Sequence, residues 1–233
     1  MTTGLVDDKR ALEDTPTQYL RGWEDFMGIR LNVDPRVLIP RPETELLVAV
    51  AAETLRKSGV LEPAVLDIGT GSGAIALGLL KLLGNCRLIA CDISKDALNV
   101  AESNIMKLGC ASSVELMFSD VFSAFGPEHE DMFDAILSNP PYVSDKDYEG
   151  LDEWVKAEPR VALCSGPEGM DHITRILSRA MRYLKPGGFA AIEIGYDQAA
   201  KVRGCFRDNG FVDVRSYADP AGYERVVAGR KNG

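Results

Sequence analysis

The chain has 233 residues, 45% hydrophobic and 26% charged, which suits one large core, or one domain with an arm. A net charge of −9 opposes binding to long nucleic acid, whose phosphates demand Lys and Arg, and no apolar run reaches the ~18 residues of a membrane helix. Five cysteines form no CxxC pair and have only His129 and His172 beside them, so no metal site is expected from ligand spacing.

Residues 1–17 are polar, contain Pro16 and lack the apolar stretch of a signal peptide. They read as a flexible or short helical arm. With the cysteines read as reduced thiols, a cytoplasmic protein is expected. Residues 18–37 hold Gly22 and Gly28 between apolar and aromatic residues, and "GIRLNVD" alternates, predicting a small β-hairpin. In "LIPRPETELLVAVAAETLRKSG", Pro42 suits a first helical position and Glu43 and Glu45 complement the helix dipole. Leu46, Leu47, Val50 and Leu55 recur at helical spacing, and Gly59 ends the helix. Residues 18–58 therefore form a hairpin and helix that precede a core domain at 59–233.

In that core the pattern alternates. "AVLDIG", "RLIACD", "SVELMFS", "FDAILSN" and "FAAIEIG" read as strands. Helices are predicted at 74–83, 95–108, 168–184 and 197–208, the third closed by Pro186-Gly187-Gly188. "FVDVRSYA" and "ERVVAGR", joined by "DPAGY", read as an antiparallel edge hairpin. Such alternation specifies an α/β fold of the Rossmann-like kind, a mostly parallel seven-stranded sheet with helices on both faces.

"LDIGTGSGAIAL" follows the first strand and opens a helix. Gly69, Thr70, Gly71, Ser72 and Gly73 form a tight loop that a ligand can approach closely. Asp92, at the end of the next strand, is placed to accept from ribose hydroxyls. Asp67 could hold the loop or face an ammonium group. Asp120, in "FSDVF", is placed to accept from an adenine amino group, and the Val121 N–H to meet a ring nitrogen. These features fit NAD and S-adenosylmethionine alike.

"SNPPYV" discriminates further. The strand that carries it should end beside the glycine loop, placing Asn139 next to the cofactor. A planar nitrogen, in an amide or aromatic amine, is a poor nucleophile because its lone pair is delocalised. Two acceptors gripping its N–H groups orient the lone pair and favour the charge that builds on nitrogen. Asn139 offers a side-chain carbonyl, and Pro140 a main-chain carbonyl with no competing N–H. Tyr142 offers a flat face, and the prolines, Pro141 included, stiffen the turn. The electrophile that suits these groups is the sulfonium methyl of S-adenosylmethionine.

The chain resembles the class I S-adenosylmethionine methyltransferases with an (N/D)PP(Y/F/W) motif, and within them the HemK/PrmC branch. That branch comprises the protein-(glutamine-N5) methyltransferases that act on peptide chain release factors. "YLRGWEDFMGIRLNVDPRVLIPRPETELLV", "VLDIGTGSGAIAL", "SNPPYV" and "EPRVALCSGPEGMDHITRIL" carry the resemblance over about residues 18–230. NPPY alone also fits adenine-N6 and guanine-N2 enzymes; "IPRPETE" and "EPRVAL…GPEGMD" are more specific to the glutamine branch. The resemblance implies that Gly69 to Gly73 and Asp92 hold the cofactor, with Val121 at the adenine. It implies that Asn139, Pro140, Pro141 and Tyr142 bind the glutamine amide, and that Leu38, Pro40, Arg41 and Pro42 line its pocket. The expected partner is a release factor; a ribosomal protein, a nucleic-acid amine and a small molecule are the alternatives. Two departures stand out. The family's helical N-terminal domain, which helps grip the release factor, is represented by only about 17 residues, and Val121 stands where the family often has Trp.

Overall fold

A computed structural model describes residues 14–233. Most of the segment read as an N-terminal arm, residues 1–13, lies outside them. The first described element is a short helix, α1 (Thr17–Arg21), closed by Gly22 in the left-handed conformation. Strands β1 (Trp23–Phe26) and β2 (Ile29–Asn32) then pair antiparallel. The hairpin is thus shorter than the expected span of 18–37, because its first residues turn as helix. Helix α2 (Pro42–Ser58) starts on Pro42 and ends at Gly59, with Glu43 and Glu45 in its first turn, as its sequence demands.

The core elements follow in order: β3 (Ala64–Ile68), α3 (Ala74–Leu83), β4 (Arg87–Asp92), α4 (Lys95–Lys107), β5 (Val114–Phe118) and β6 (Phe133–Ser138). Three short helices come next, α5 (Asp145–Glu149), α6 (Glu153–Lys156) and α7 (Arg160–Leu163). The chain closes with α8 (Asp171–Tyr183), β7 (Leu184–Glu193), α9 (Ala199–Asp208), β8 (Val212–Ala218) and β9 (Glu224–Arg230). The seven-stranded sheet has the order β5-β4-β3-β6-β7-β9-β8. Its first five strands are parallel, and β9 runs antiparallel between β7 and β8. The edge hairpin is therefore present, with β9 on its inner side.

Successive residues of a strand face opposite ways, and the two core clusters divide accordingly. Val65, Leu88, Ala90, Ala135 and Leu137 pack with α2 and α3 on one face. Leu66, Ile68, Ile89, Cys91 and Ile136 pack with α8 and α9 on the other. Burial on both faces explains why these strands read as continuous apolar runs. Each fully buried Leu or Ile contributes roughly 1.5–3 kcal/mol.

Two expectations are corrected. Pro186-Gly187-Gly188 does not close α8 but lies inside β7, where the pairing with β6 shifts register between Phe133 and Ala135. A Cβ on Gly188 would stand 3.0 Å from the Phe133 carbonyl oxygen, so the glycine admits a close backbone approach at the irregularity. Helix α8 begins at Asp171 rather than 168, because Gly169 has a φ of 69°, outside the helical region.

The N-terminal hairpin is tied to the core by a third cluster, in which Tyr19, Val33, Val37 and Ile39 meet Ala97 and Val100 of α4. The Tyr19 hydroxyl donates to the Val37 carbonyl at 2.5 Å. Buried Asn104 of α4 accepts from the Asn32 N–H (2.7 Å) and donates to the Asn32 carbonyl (3.0 Å) and the Ser72 carbonyl (2.9 Å). One amide thereby joins the hairpin, α4 and the glycine loop.

Candidate active site

The carboxyl ends of β3, β4 and β6 open onto a cavity of about 990 Å³, its open mouth included, at the place where parallel α/β sheets bind ligands. Ile68, the last residue of β3, pairs with Ser138 of β6, and the Ser138 hydroxyl donates to the Ile68 carbonyl at 2.7 Å. The glycine loop and the Asn-Pro-Pro-Tyr turn are thus neighbours, as the strand order required.

The loop is held from below by β4. The Gly69 and Thr70 N–H groups donate to the Cys91 carbonyl at 2.8 and 3.0 Å. Gly69 and Gly71 have φ of 72° and 56°, and a Cβ on either would project into open space. Left-handed backbone is what glycine supplies there. Asp92 accepts from the Gly71 N–H (2.9 Å) through one oxygen and from the Ser94 N–H (2.9 Å) through the other. It braces the loop and starts α4, and the remaining lone pairs of a carboxylate leave it able to accept more. Burial raises its pKa against the pull of these N–H groups.

Asp67 is fully buried and does not line the cavity. It accepts from the Thr70 hydroxyl at 2.7 Å, and its other oxygen has no partner among the described residues. Burial pushes its pKa up to about 7, against the Thr70 bond and with help from the Asp92 charge. Of the two roles open to it from sequence, the loop-holding contact is the one seen.

Asp120 lines the cavity, but one of its oxygens accepts from Arg175 at 2.7 Å. Val121 also lines it, with a φ of 52°, an outlier for a β-branched residue. The turn is held there by the Ser119 hydroxyl, which donates to the Val121 carbonyl at 2.9 Å.

Of the residues expected to act, Gly69 to Ser72, Asp92, Asp120, Val121, Asn139, Pro140, Pro141, Leu38 and Pro40 line one cavity. Gly73, Arg41, Pro42 and Tyr142 do not. Gly73 caps α3. Tyr142 is half-buried; burial raises its phenol pKa and the Glu193 carboxylate adds to the effect.

Contacts that sequence reasoning missed assemble the turn. Asn139 Nδ2–H donates to the Thr44 hydroxyl at 3.1 Å, so the side-chain carbonyl of Asn139 is left to accept from a ligand. Glu158 is 2% exposed. It accepts from the Ile39 N–H at 3.0 Å and pairs with Arg41. Gln198 donates to the Tyr142 and Gly169 carbonyls at 3.0 and 3.2 Å. "IPRPETE" and "GPEGMD" therefore meet the Asn-Pro-Pro-Tyr turn through Thr44 and Gly169, and "EPRVAL" is tied to "IPRPETE" through Glu158. Thr44 and Glu158 stood inside the quoted motifs; nothing in local pattern marked Gln198. His172, which also lines the cavity, has its Nδ1 2.9 Å from the Ser165 hydroxyl, and burial lowers its pKa.

The residues fit S-adenosylmethionine: an open glycine cradle, an acid with spare acceptors, and an apolar wall including Ile75, Ile93 and Val121. Comparison with known proteins agrees. The methyltransferase small domain family matches residues 43–160. A release factor glutamine methyltransferase of Rhodopirellula baltica is 40% identical over 227 residues, 96% of this chain and 76% of that protein. The crystal structure of a protein-(glutamine-N5) methyltransferase (release factor-specific) from Alicyclobacillus acidocaldarius is 28% identical, covers 87% of this chain and 100% of that one, and superposes with a TM-score of 0.52. A methyltransferase from Pyrococcus furiosus, 20% identical, covers 88% and 90% of the two chains with a TM-score of 0.63. Among the described residues no helix is long and apolar enough to cross a membrane.

Proposed function

We propose the following activity for this chain, which belongs to the release factor glutamine methyltransferase family: transfer of a methyl group to the side-chain amide nitrogen of a protein glutamine, that of a peptide chain release factor. S-adenosylmethionine, when bound, supplies an electrophilic sulfonium methyl. Gly69 to Gly73 and Asp92 would hold it, with Val121 beside the adenine.

The observation that carries the reading is the orientation of Asn139. Its NH2 group is engaged by Thr44 at 3.1 Å, so its carbonyl is the end offered to a substrate. The Pro140 carbonyl is the second acceptor. Two acceptors fit the two N–H groups of a primary amide and leave the nitrogen lone pair facing away from them. Bonding to both N–H groups favours the positive charge that develops on nitrogen, and the proton then leaves to solvent. Leu38, Pro40 and Pro141 form the apolar wall of the substrate side.

The test is incubation with labelled S-adenosylmethionine and a release factor, either intact or with its Gly-Gly-Gln glutamine changed to alanine. Label on the intact factor alone supports the reading. Label on DNA or RNA oligonucleotides with none on the factor would refute it.

A further inference from the structure

His172 lines the cavity, and the chemistry above gives it no part. It stands in the first turn of α8, where residues 172, 175 and 176 share one face. From that face Arg175 reaches one Asp120 oxygen at 2.7 Å, while His172 and Ile176 form cavity wall. The helix is thereby set against the turn that carries Asp120 and Val121.

Ser165 fixes where the imidazole carries its proton. This serine is 1% exposed. Its hydroxyl oxygen accepts from the His172 main-chain N–H at 3.0 Å and lies 2.9 Å from Nδ1. A hydroxyl has one proton to give, and among the described residues Nδ1 is the only acceptor within its reach. Nδ1 therefore accepts and carries no proton of its own. Burial lowers the pKa of the ring, so near neutral pH it holds a single proton, on Nε2. No protein group among the described residues takes that N–H, and the atom is not sealed from solvent. The second oxygen of Asp120 likewise has no partner among the described residues. One cavity is thus faced by a free donor on His172 and a free acceptor on Asp120.

A donor with an acceptor is the complement of adenine. The adenine amino group donates, and the ring nitrogens on either side of it accept. A 6-oxopurine carries an oxygen acceptor in place of that amino group.

We propose that His172 is a further cofactor-binding residue, its Nε2–H donating to a ring nitrogen of the adenine while the free Asp120 oxygen accepts from the amino group, and that this pair selects adenine over 6-oxopurines. The inference rests on the S-adenosylmethionine reading of the cavity and is independent of which amide receives the methyl group.

The experiment measures binding of S-adenosylhomocysteine by calorimetric titration, without turnover. His172→Phe keeps a flat ring and removes the N–H; its Kd is expected to rise about 3- to 10-fold, the worth of one hydrogen bond. A ring that served packing alone would weaken every ligand alike, so the titration is repeated with the 1-deaza and 7-deaza analogues. One of these lacks the acceptor that faces His172, and wild type and His172→Phe should bind that analogue equally, which closes a double-mutant cycle. Asp120→Asn can turn a donor inward. It should shrink the preference for S-adenosylhomocysteine over S-inosylhomocysteine about 10-fold or more. In wild-type protein labelled with 15N-histidine, Nε2 of His172 should read as protonated and Nδ1 as bare, and the Nε2 signal should move when S-adenosylhomocysteine is added. The chain has two histidines, so His129→Gln identifies the signals, and this measurement decides if His172→Phe does not fold. An unchanged Kd in His172→Phe, the same loss on both deaza analogues, or a proton on Nδ1 in the wild type would overturn the inference. Binding as expected with no label on any release factor would sink the substrate reading and leave His172 its role. Label on the release factor with unaltered binding by His172→Phe would do the reverse.

Discussion

Arg41 and Glu158 lie 117 positions apart in the sequence and form an ion pair whose carboxylate is buried. The same carboxylate accepts from the Ile39 N–H at 3.0 Å. It clamps the segment before α2 to the one before α7, and both border the cavity through Leu38, Pro40 and Pro159. Burial pushes the Glu158 pKa up and Arg41 opposes this, the net shift remaining upward.

Arg41→Ala strips the counter-charge from a carboxylate that cannot reach water. A loss of about 3–5 kcal/mol in unfolding free energy is expected, the usual cost of breaking a buried pair. Glu158→Gln keeps an acceptor for Ile39 and should cost less, about 1–3 kcal/mol. Urea unfolding of both variants checks the order; equal losses would count against the clamp.

Gly169 faces the turn at very short range. A Cβ there would stand 2.2 Å from the Tyr142 carbonyl oxygen, and the residue has a φ of 69°. Gly169→Ala is expected to destabilise the fold by about 1–3 kcal/mol through backbone strain. It should also lower kcat about 10-fold or more by displacing the turn. Gln198→Ala, which removes the bridge between the same two carbonyls, should lower kcat in the same direction. Thermal melts and steady-state kinetics of the two variants provide the check.

Asp92 uses both oxygens on backbone N–H groups. Asparagine in its place must turn an NH2 group toward Gly71 or Ser94, donor against donor. Asp92→Asn is therefore expected to loosen the loop and weaken S-adenosylmethionine binding about 10-fold or more, the loss of one charge-assisted bond and the strain on another. Calorimetric titration measures it, and an unchanged Kd would remove Asp92 from the cofactor site.

Burial raises the pKa values of Asp67 and Glu193 to about 7 each, from the ordinary 3.8 and 4.5 of these side chains. Above those ordinary values the unfolded chain releases both protons while the native state keeps them. The native state then binds more protons, so stability is greatest at low pH and declines as pH rises toward 7. Each group contributes a slope of up to about 1.4 kcal/mol per pH unit. Urea midpoints between about pH 5 and 7 should fall for the wild type and flatten in Asp67→Asn with Glu193→Gln, since amides do not titrate there.

What the sequence by itself determined was local or periodic. Strand and helix alternation specified the parallel sheet, and α3 runs from 74 to 83 as its apolar spacing requires. Gly69 and Gly71 declared a loop because their backbone conformations exclude other residues. Asn139-Pro140-Pro141 declared a rigid pair of acceptors because proline removes N–H groups and freedom together. Register placed these two features side by side, at Ile68 and Ser138, once β3 and β6 were known to be neighbours.

The tertiary structure alone decided which way the Asn139 amide faces, since that depends on Thr44, 95 positions away. It decided that Asp67 and Tyr142 stand outside the cavity wall, and that Pro186-Gly187-Gly188 is an irregularity in a strand instead of a helix stop. Burial, charge pairing and hydrogen-bond direction are properties of what surrounds a side chain. No window of sequence contains those surroundings, because folding brings them from distant parts of the chain.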